Sequence, residues 1–223
     1  MLKKISFFFA LLLGSGSMLL AQDNLPRIAL VKYNGGGDWY ANPTSLPNLV
    51  NFANQQTPMR IDTQVDQVDI GSSNLFNYPF VHLTGHGNIV LSRSEKENVR
   101  NYLSQGGFLH VDDNYGMDVY VRPLLKQLFP DFKLQQLGPQ HKIFSCLFTL
   151  KGLPKTHEHD NQAPEAYGIF DKSGRMMVLY TYESDLGDGW ESPTVHNDPL
   201  EVREAALQMG ANILYYGFVL GGY

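Results

Sequence analysis

Short apolar runs that stop at glycine-rich turns recur along this chain, and each is followed by a stretch with helical spacing. That alternation constrains the fold more than any single motif. Parallel strands need a long crossover, and a helix supplies it, so repeated strand–helix units build an open, mostly parallel sheet with helices on both faces. Arg27 to Tyr33 is the first β-rich run and ends in Gly35-Gly36-Gly37. Thr44 to Gln55 follows, with Leu46, Leu49, Val50 and Ala53 at helical intervals. Arg60 to Val65 reads as a second strand and Phe80 to Thr84 as a third, which ends in Gly85-His86-Gly87. Ser92 and Glu95 have capping-box spacing and open a helix whose apolar side is Val99, Tyr102 and Leu103. Gly106-Gly107 stops it, Phe108 to Asp112 forms the next strand, and Asp118 to Phe129 the next helix.

The second half is less regular. Lys151 to Pro164 is polar, holds His157 and His159, and reads as a long loop. Tyr167 to Phe170 and Arg175 to Thr181 suit a hairpin around Asp171-Lys172-Ser173-Gly174. The last helix is expected to start at Asp198 as N-cap with Pro199 at the first helical position, and to run to Tyr215.

Residues 1–21 have the pattern of a secretory signal. Lys3 and Lys4 precede the apolar run Ile5 to Leu13, which is shorter than the roughly 20 residues that span a bilayer. The expectation is an exported protein, periplasmic or secreted, with a single α/β domain over residues 22–223 and no integral membrane span after signal removal. Of the 17 Lys and Arg, 15 lie beyond residue 21 and face 22 Asp and Glu, a charge of −7. An acidic domain is poorly suited to gripping phosphate backbones, so nucleic acid is not an expected partner. One cysteine excludes a disulfide framework. Cys146 sits in the apolar run Ile143 to Phe148 and reads as a buried small hydrophobe.

The unusual residues collect where strands end. These are Asn34 to Tyr40, Thr84 to Asn88, His110 to Asn114 and Glu183 to Glu191. In a parallel sheet such loops converge on one edge, the edge where ligands bind. Candidate catalytic groups are Asp112, Asp113 and His86, because a neighbouring acid raises a carboxyl pKa and a histidine titrates near neutrality. Candidate ligand-binding residues are Gly36, Gly37, Asp38, Trp39, Gly85, Gly87, Asp185 and Trp190. The two tryptophans suit either an aromatic floor for a ligand or the packing of loop lids. His82 and His110 lie inside strand runs and read as core histidines. No G-x-G-x-x-G, G-K-[ST] or G-x-S-x-G motif is present in the domain. His82, His86, Asp112, Asp113, Asp185 and the tract His157-Glu158-His159-Asp160 could offer N and O ligands, but their spacing matches no metal motif, and the tract reads as solvated surface. No metal ligand is therefore assigned, and no motif names a cofactor.

Taken together, Lys32 to Tyr40, Tyr78-Pro79-Phe80 with Thr84 to Gly87, Gly106 to Leu109 with Asp112-Asp113, and Asp185-Leu186 with Trp190-Glu191 resemble the domain-of-unknown-function 4159 family. The resemblance covers about Arg27 to Phe218. It implies a flavodoxin-like, class I glutamine-amidotransferase-like fold and no established activity. Catalytic members of that superfamily carry a cysteine on the turn after a central strand. Here that strand is Phe108 to Val111 and the turn holds Asp112-Asp113-Asn114, so thioester chemistry is not expected. The resulting expectation is a domain that binds a small polar ligand or an envelope protein without thiol chemistry. Two alternatives stand beside it. One is a metal-assisted or acid/base hydrolase using Asp112 or Asp113 and His86. The other is an envelope assembly scaffold.

Overall fold

The computed structural model describes residues 25–221, so the export signal expected over residues 1–21 lies outside the described residues. Among the described residues, seven strands and six α-helices follow in this order: β1 (Ile28–Lys32), α1 (Ser45–Gln56), β2 (Asp66–Asp69), β3 (Phe80–His86), α2 (Arg93–Ser104), β4 (Phe108–Tyr115), α3 (Asp118–Leu128), β5 (Gln135–Gln136), β6 (Glu165–Phe170), β7 (Met176–Tyr182), α4 (Leu186–Trp190), α5 (Pro193–His196) and α6 (Leu200–Tyr215). A π-helical turn, Tyr216–Leu220, continues α6.

The sheet order is β2-β1-β3-β4-β7-β6-β5. The first five strands are parallel, and β6 and β5 add antiparallel to β7. With β7 in the fifth place, the parallel part has the 2-1-3-4-5 order of flavodoxin-like sheets. The expected fold class is therefore the one observed: an open, mostly parallel α/β sheet.

Strand side chains alternate between two cores. Ala29, Val31, Val81, Leu83, Leu109, Val111, Val178 and Tyr180 face α2 and α3. Ile28, Phe80, Phe108 and Leu179 face α1 and α6, which contribute Leu46, Leu49, Val50, Ala53, Ala206, Met209 and Ile213. The capping box of α2 forms as read, with Ser92 and Glu95 each bonding the other's backbone N–H. Among the described residues, no helix is long and apolar enough to cross a membrane.

Among the boundaries that differ from the sequence reading, those of β2, β4 and α6 matter most for the site. The second strand is Asp66–Asp69 rather than Arg60 to Val65. Ile61 instead pairs both its backbone groups with the Asn54 side chain, at 2.8 and 2.9 Å, so that stretch never joins a ladder. The true β2 is a polar edge strand with only Val68 buried, and it offers no alternating signal. Strand β4 continues through Tyr115, which makes Asp112, Asp113 and Asn114 buried strand residues rather than turn residues. Helix α6 begins at Leu200 after Pro199, because the Asp198 carboxylate bonds His157 instead of capping.

Candidate metal centre

At the carboxyl edge, β7 leads into a left-handed turn and the short helix α4. Glu183 and Asp185 both have positive φ, at 55° and 50°. Such strain in non-glycine residues persists only where surrounding contacts enforce it. Here Asp112 supplies the anchor: one carboxylate oxygen accepts the Gly187 N–H at 2.7 Å, and the other accepts the Thr181 hydroxyl at 2.5 Å. The turn thereby aims Asp185 and Asp188 at the long loop before β6. That loop is tied down by Thr156 N–H to Ser184 O at 2.8 Å and by Ser184 Oγ to Pro154 O at 2.6 Å.

The loop delivers two histidines to these acids. His159 Nε2 lies 2.5 Å from Asp185 Oδ2, and His157 Nδ1 lies 3.5 Å from the same oxygen and 3.0 Å from Asp188 Oδ2. A third histidine, His196 at the end of α5, places Nε2 3.7 Å from Asp188 Oδ1 and 3.3 Å from Glu191 Oε2. Ligand atoms of His157, His159 and Asp185 lie within 4.8 Å of one another, and so do those of His157, Asp188 and His196.

The outer contacts are of the kind that orient metal-binding side chains. His157 Nε2 is 3.0 Å from Asp198 Oδ1, which turns Nδ1 inward. A carboxylate behind a ligating imidazole sets its tautomer and raises its basicity. Asp188 Oδ1 also accepts the amide N–H groups of Asn42 and, at 3.3 Å, Asn114.

The electrostatics favour a cation. Asp185 is 1% exposed, and its Oδ1 has no partner among the described residues. Burial pushes its pKa up to about 9, reinforced by the charges of Asp112, Asp188, Asp113 and Glu183. Burial likewise pushes Asp112 up to about 7, against the hydrogen bonds from Thr181 and Gly187. Closely packed carboxylates with an unfilled oxygen are costly unless protonated or paired with a positive ion. The donors are imidazole and carboxylate, a set that suits zinc and similar divalent transition ions.

The sequence candidates divide into three groups. Asp185 belongs to the centre. Asp112 and Asp113 are buried and support it rather than facing solvent. Asp113 accepts the Met117 N–H at 2.9 Å and the Tyr180 hydroxyl at 3.3 Å, which ties β4 to the start of α3. Trp190 is also buried, its indole N–H donating to Ala206 O at 2.7 Å, so it packs under the edge and provides no open floor for a ligand. His86 and Asp38 meet on the exposed side of the same edge, with Nδ1 to Oδ2 at 3.1 Å and the His86 backbone N–H to Oδ1 at 2.5 Å. Trp39 is half-buried beside Tyr40 and Lys32. Gly85 allows this approach: its φ is +139°, and a Cβ there would meet the Tyr33 hydroxyl at 2.6 Å. A Cβ on Gly37 would meet that same hydroxyl, also at 2.6 Å, whereas Gly36 and Gly87 face open space.

His157 and His159, read from sequence as solvated surface, are one-quarter to one-third exposed and sit inside the cluster. In the sequence His196 carries no assigned role, Asp188 and Glu191 fall only within the strand-end run Glu183 to Glu191, and Asp198 reads as a helix cap. One signal was available, since Asp185, Asp188 and Glu191 recur every third residue directly after a strand.

Beneath the centre runs a buried polar chain. His82 and His110 stand opposite each other on β3 and β4, with Nδ1 to Nδ1 at 3.0 Å. His110 Nε2 is 3.0 Å from Thr181 Oγ1, whose hydroxyl bonds Asp112. With Asp112 ionised, the proton directions follow. Thr181 donates to Asp112, His110 Nε2–H donates to Thr181, and His82 Nδ1–H donates to His110. The last acceptor, His82 Nε2, is left unpaired among the described residues. Burial holds both rings neutral, with His82 pushed down to about 3 and His110 well below its ordinary value.

Cys146 is half-buried, with Sγ 3.4 Å from Asn212 O, and burial raises its thiol pKa. That environment does not activate a nucleophile.

A flavodoxin-like α/β domain with a histidine–carboxylate centre at its carboxyl edge is the class that fold and site define. Residues 27–218 match the family described as Domain of unknown function (DUF4159), and the chain belongs to that family. No curated protein matches the chain.

Proposed function

We propose that this is an exported, metal-dependent domain that takes a small polar ligand at the carboxyl edge of its sheet and hydrolyses it with metal-activated water. The observation that carries this reading is Asp185, a buried carboxylate with one oxygen between two histidines and the other unpaired. The three histidines keep 24–29% of their side-chain surface open, so a bound ion would retain a position facing solvent. Open coordination is the mark of catalytic rather than structural zinc. Such an ion polarises a ligand oxygen and lowers the pKa of bound water toward neutrality. His86, oriented by Asp38 at the end of β3, two strands across the same edge from β7, is the exposed acid/base candidate. The role expected for Asp112 moves from general base to anchor, because it has no exposed surface. The basic-then-apolar N-terminus supports export.

The test is zinc binding by metal-stripped protein, read by calorimetry and elemental analysis, with 4-nitrophenyl acetate as a generic hydrolysis probe. Wild type should bind zinc and hydrolyse the probe faster than free zinc, and Asp185→Asn should lose the ion held with His157 and His159 and the turnover with it. Absence of binding refutes the metal reading. Binding without turnover refutes the hydrolytic part. N-terminal sequencing of protein recovered from outside the cytoplasm tests export.

A further inference from the structure

We infer that the centre holds two divalent transition ions, bridged by the carboxylate of Asp188. The inference rests on the metal-binding reading above and extends it. Asp188 stands between two donor sets. Its Oδ2 faces His157 Nδ1 at 3.0 Å, on the side of His159 and Asp185. Its Oδ1 faces His196 Nε2 at 3.7 Å, and that nitrogen lies 3.3 Å from Glu191 Oε2. Metal–ligand bonds of about 2.0–2.2 Å at tetrahedral angles separate neighbouring donors by roughly 3.3–3.6 Å. The His196 set, at 3.3 and 3.7 Å, stands close to that spacing; in the other set His157 and Asp185 match it at 3.5 Å, while the 2.5 and 3.0 Å pairs are hydrogen-bond contacts that must open to admit an ion.

Glu191 is built for such a role. Its side chain is 3% exposed. Its Oε1 is held by the Thr44 N–H at 3.1 Å and the Thr44 hydroxyl at 3.0 Å, which leaves Oε2 for His196 or an ion. Asn197, left-handed at φ 58°, ends α5 directly after His196. Asn42 and Asn114 donate to Asp188 Oδ1 and fix the plane of the bridge.

Charge balance points the same way. Asp185, Asp188, Glu191 and Asp198 contribute four negative charges around three histidines. The nearby cations are engaged elsewhere: Lys155 pairs with Glu158 and Glu183, and Arg203 donates to the backbone O of Glu191. With the Arg203 charge beside Glu191 counted, one dication still leaves the ionised set negative, which leaves room for a second. A carboxylate bridge suits the spacing of about 3.5–4 Å found in two-metal hydrolytic centres.

The experiment is the zinc stoichiometry of the metal-stripped full chain, by calorimetric titration and by elemental analysis after desalting. Wild type should bind two ions per chain. The double variant Glu191→Gln/His196→Ala should bind one, and His159→Ala should also fall to one. Because Glu191 is buried, His196→Gln alone serves as the gentler variant and should weaken the second ion at least tenfold. One ion in wild type overturns this inference and leaves the single-ion reading intact. No ion overturns both. Two ions in wild type and still two in the double variant place the second ion elsewhere and overturn the bridge.

Discussion

Replacing His82 with leucine tests whether the buried polar chain under the centre is uncharged. In the unfolded chain His82 titrates near its ordinary value of about 6.5. In the native protein burial delays protonation to about pH 3. Between those values the unfolded state binds one proton more than the native state. Stability from this residue is therefore complete above about pH 6.5 and is lost on acidification at about 1.4 kcal/mol per pH unit. Over the whole window the loss approaches roughly 5 kcal/mol, a large part of an ordinary domain's stability.

Asp112 and Asp185 act in the opposite direction. Their folded pKa values are raised, so their contribution is full below the ordinary carboxyl value and is lost as pH rises through about 7 and about 9. The wild-type curve mixes these terms, and only the difference from the variant isolates His82. His82→Leu leaves His110 Nδ1 without its donor, which costs about 1–3 kcal/mol at neutral pH. As pH falls, the variant should lose stability about 1.4 kcal/mol per unit more slowly and should match wild type near pH 5. Urea unfolding at a series of pH values between 4 and 7, in the presence of a chelator, gives both slopes. Parallel slopes would refute the reasoning, because they would mean that His82 carries its proton in the native state as readily as in the unfolded one.

Two further outcomes follow from single contacts. Asp198→Asn should weaken zinc binding 10–100-fold, about 1.4–2.8 kcal/mol, through the loss of the charged partner of His157, and calorimetry reads this directly. An unchanged affinity would show that His157 does not ligate through Nδ1. Asn212→Ala removes bonds to the Leu147 N–H, the Phe148 N–H and Phe148 O, and leaves three part-buried backbone groups without that partner. The expected cost is about 3–5 kcal/mol by urea unfolding, and a loss below about 1 kcal/mol would show that water replaces the side chain.

Much of the fold is legible in the linear order of residues. Helices α1, α2 and α3 and the β6–β7 hairpin carry their own periodicity, caps and turns, and they form within a residue or two of where those signals place them. The signals fail where polar residues occupy strands. Asp112, Asp113 and Asn114 resemble a turn in composition, yet β4 keeps its ladder with β3 through Asp112 and Asp113 and, past a register shift at Asn114, at Tyr115. It does so because the polar groups are satisfied: Asp112 by Thr181 and Gly187, Asp113 by Met117 and Tyr180, and Asn114 by Thr84 and Asn42. Edge strand β2 fails for a related reason: with one buried residue, it has no hydrophobic alternation to detect.

The candidate site shows the same division. Its location at the carboxyl edge follows from the parallel alternation, and Asp185 is recognisable as an acid just beyond a strand. The sequence by itself determined the α/β class and the carboxyl edge on which the candidate site lies, since these depend on local period and residue type. Tertiary structure alone decided which polar groups meet. The centre draws His157 and His159 from one loop, Asp185 and Asp188 from α4 and the turn before it, and His196 and Asp198 from the approach to α6. His86, the more conspicuous histidine between two glycines, pairs with Asp38 instead. Burial and pairing set the cost of each carboxylate, and both quantities exist only once distant segments have packed against one another.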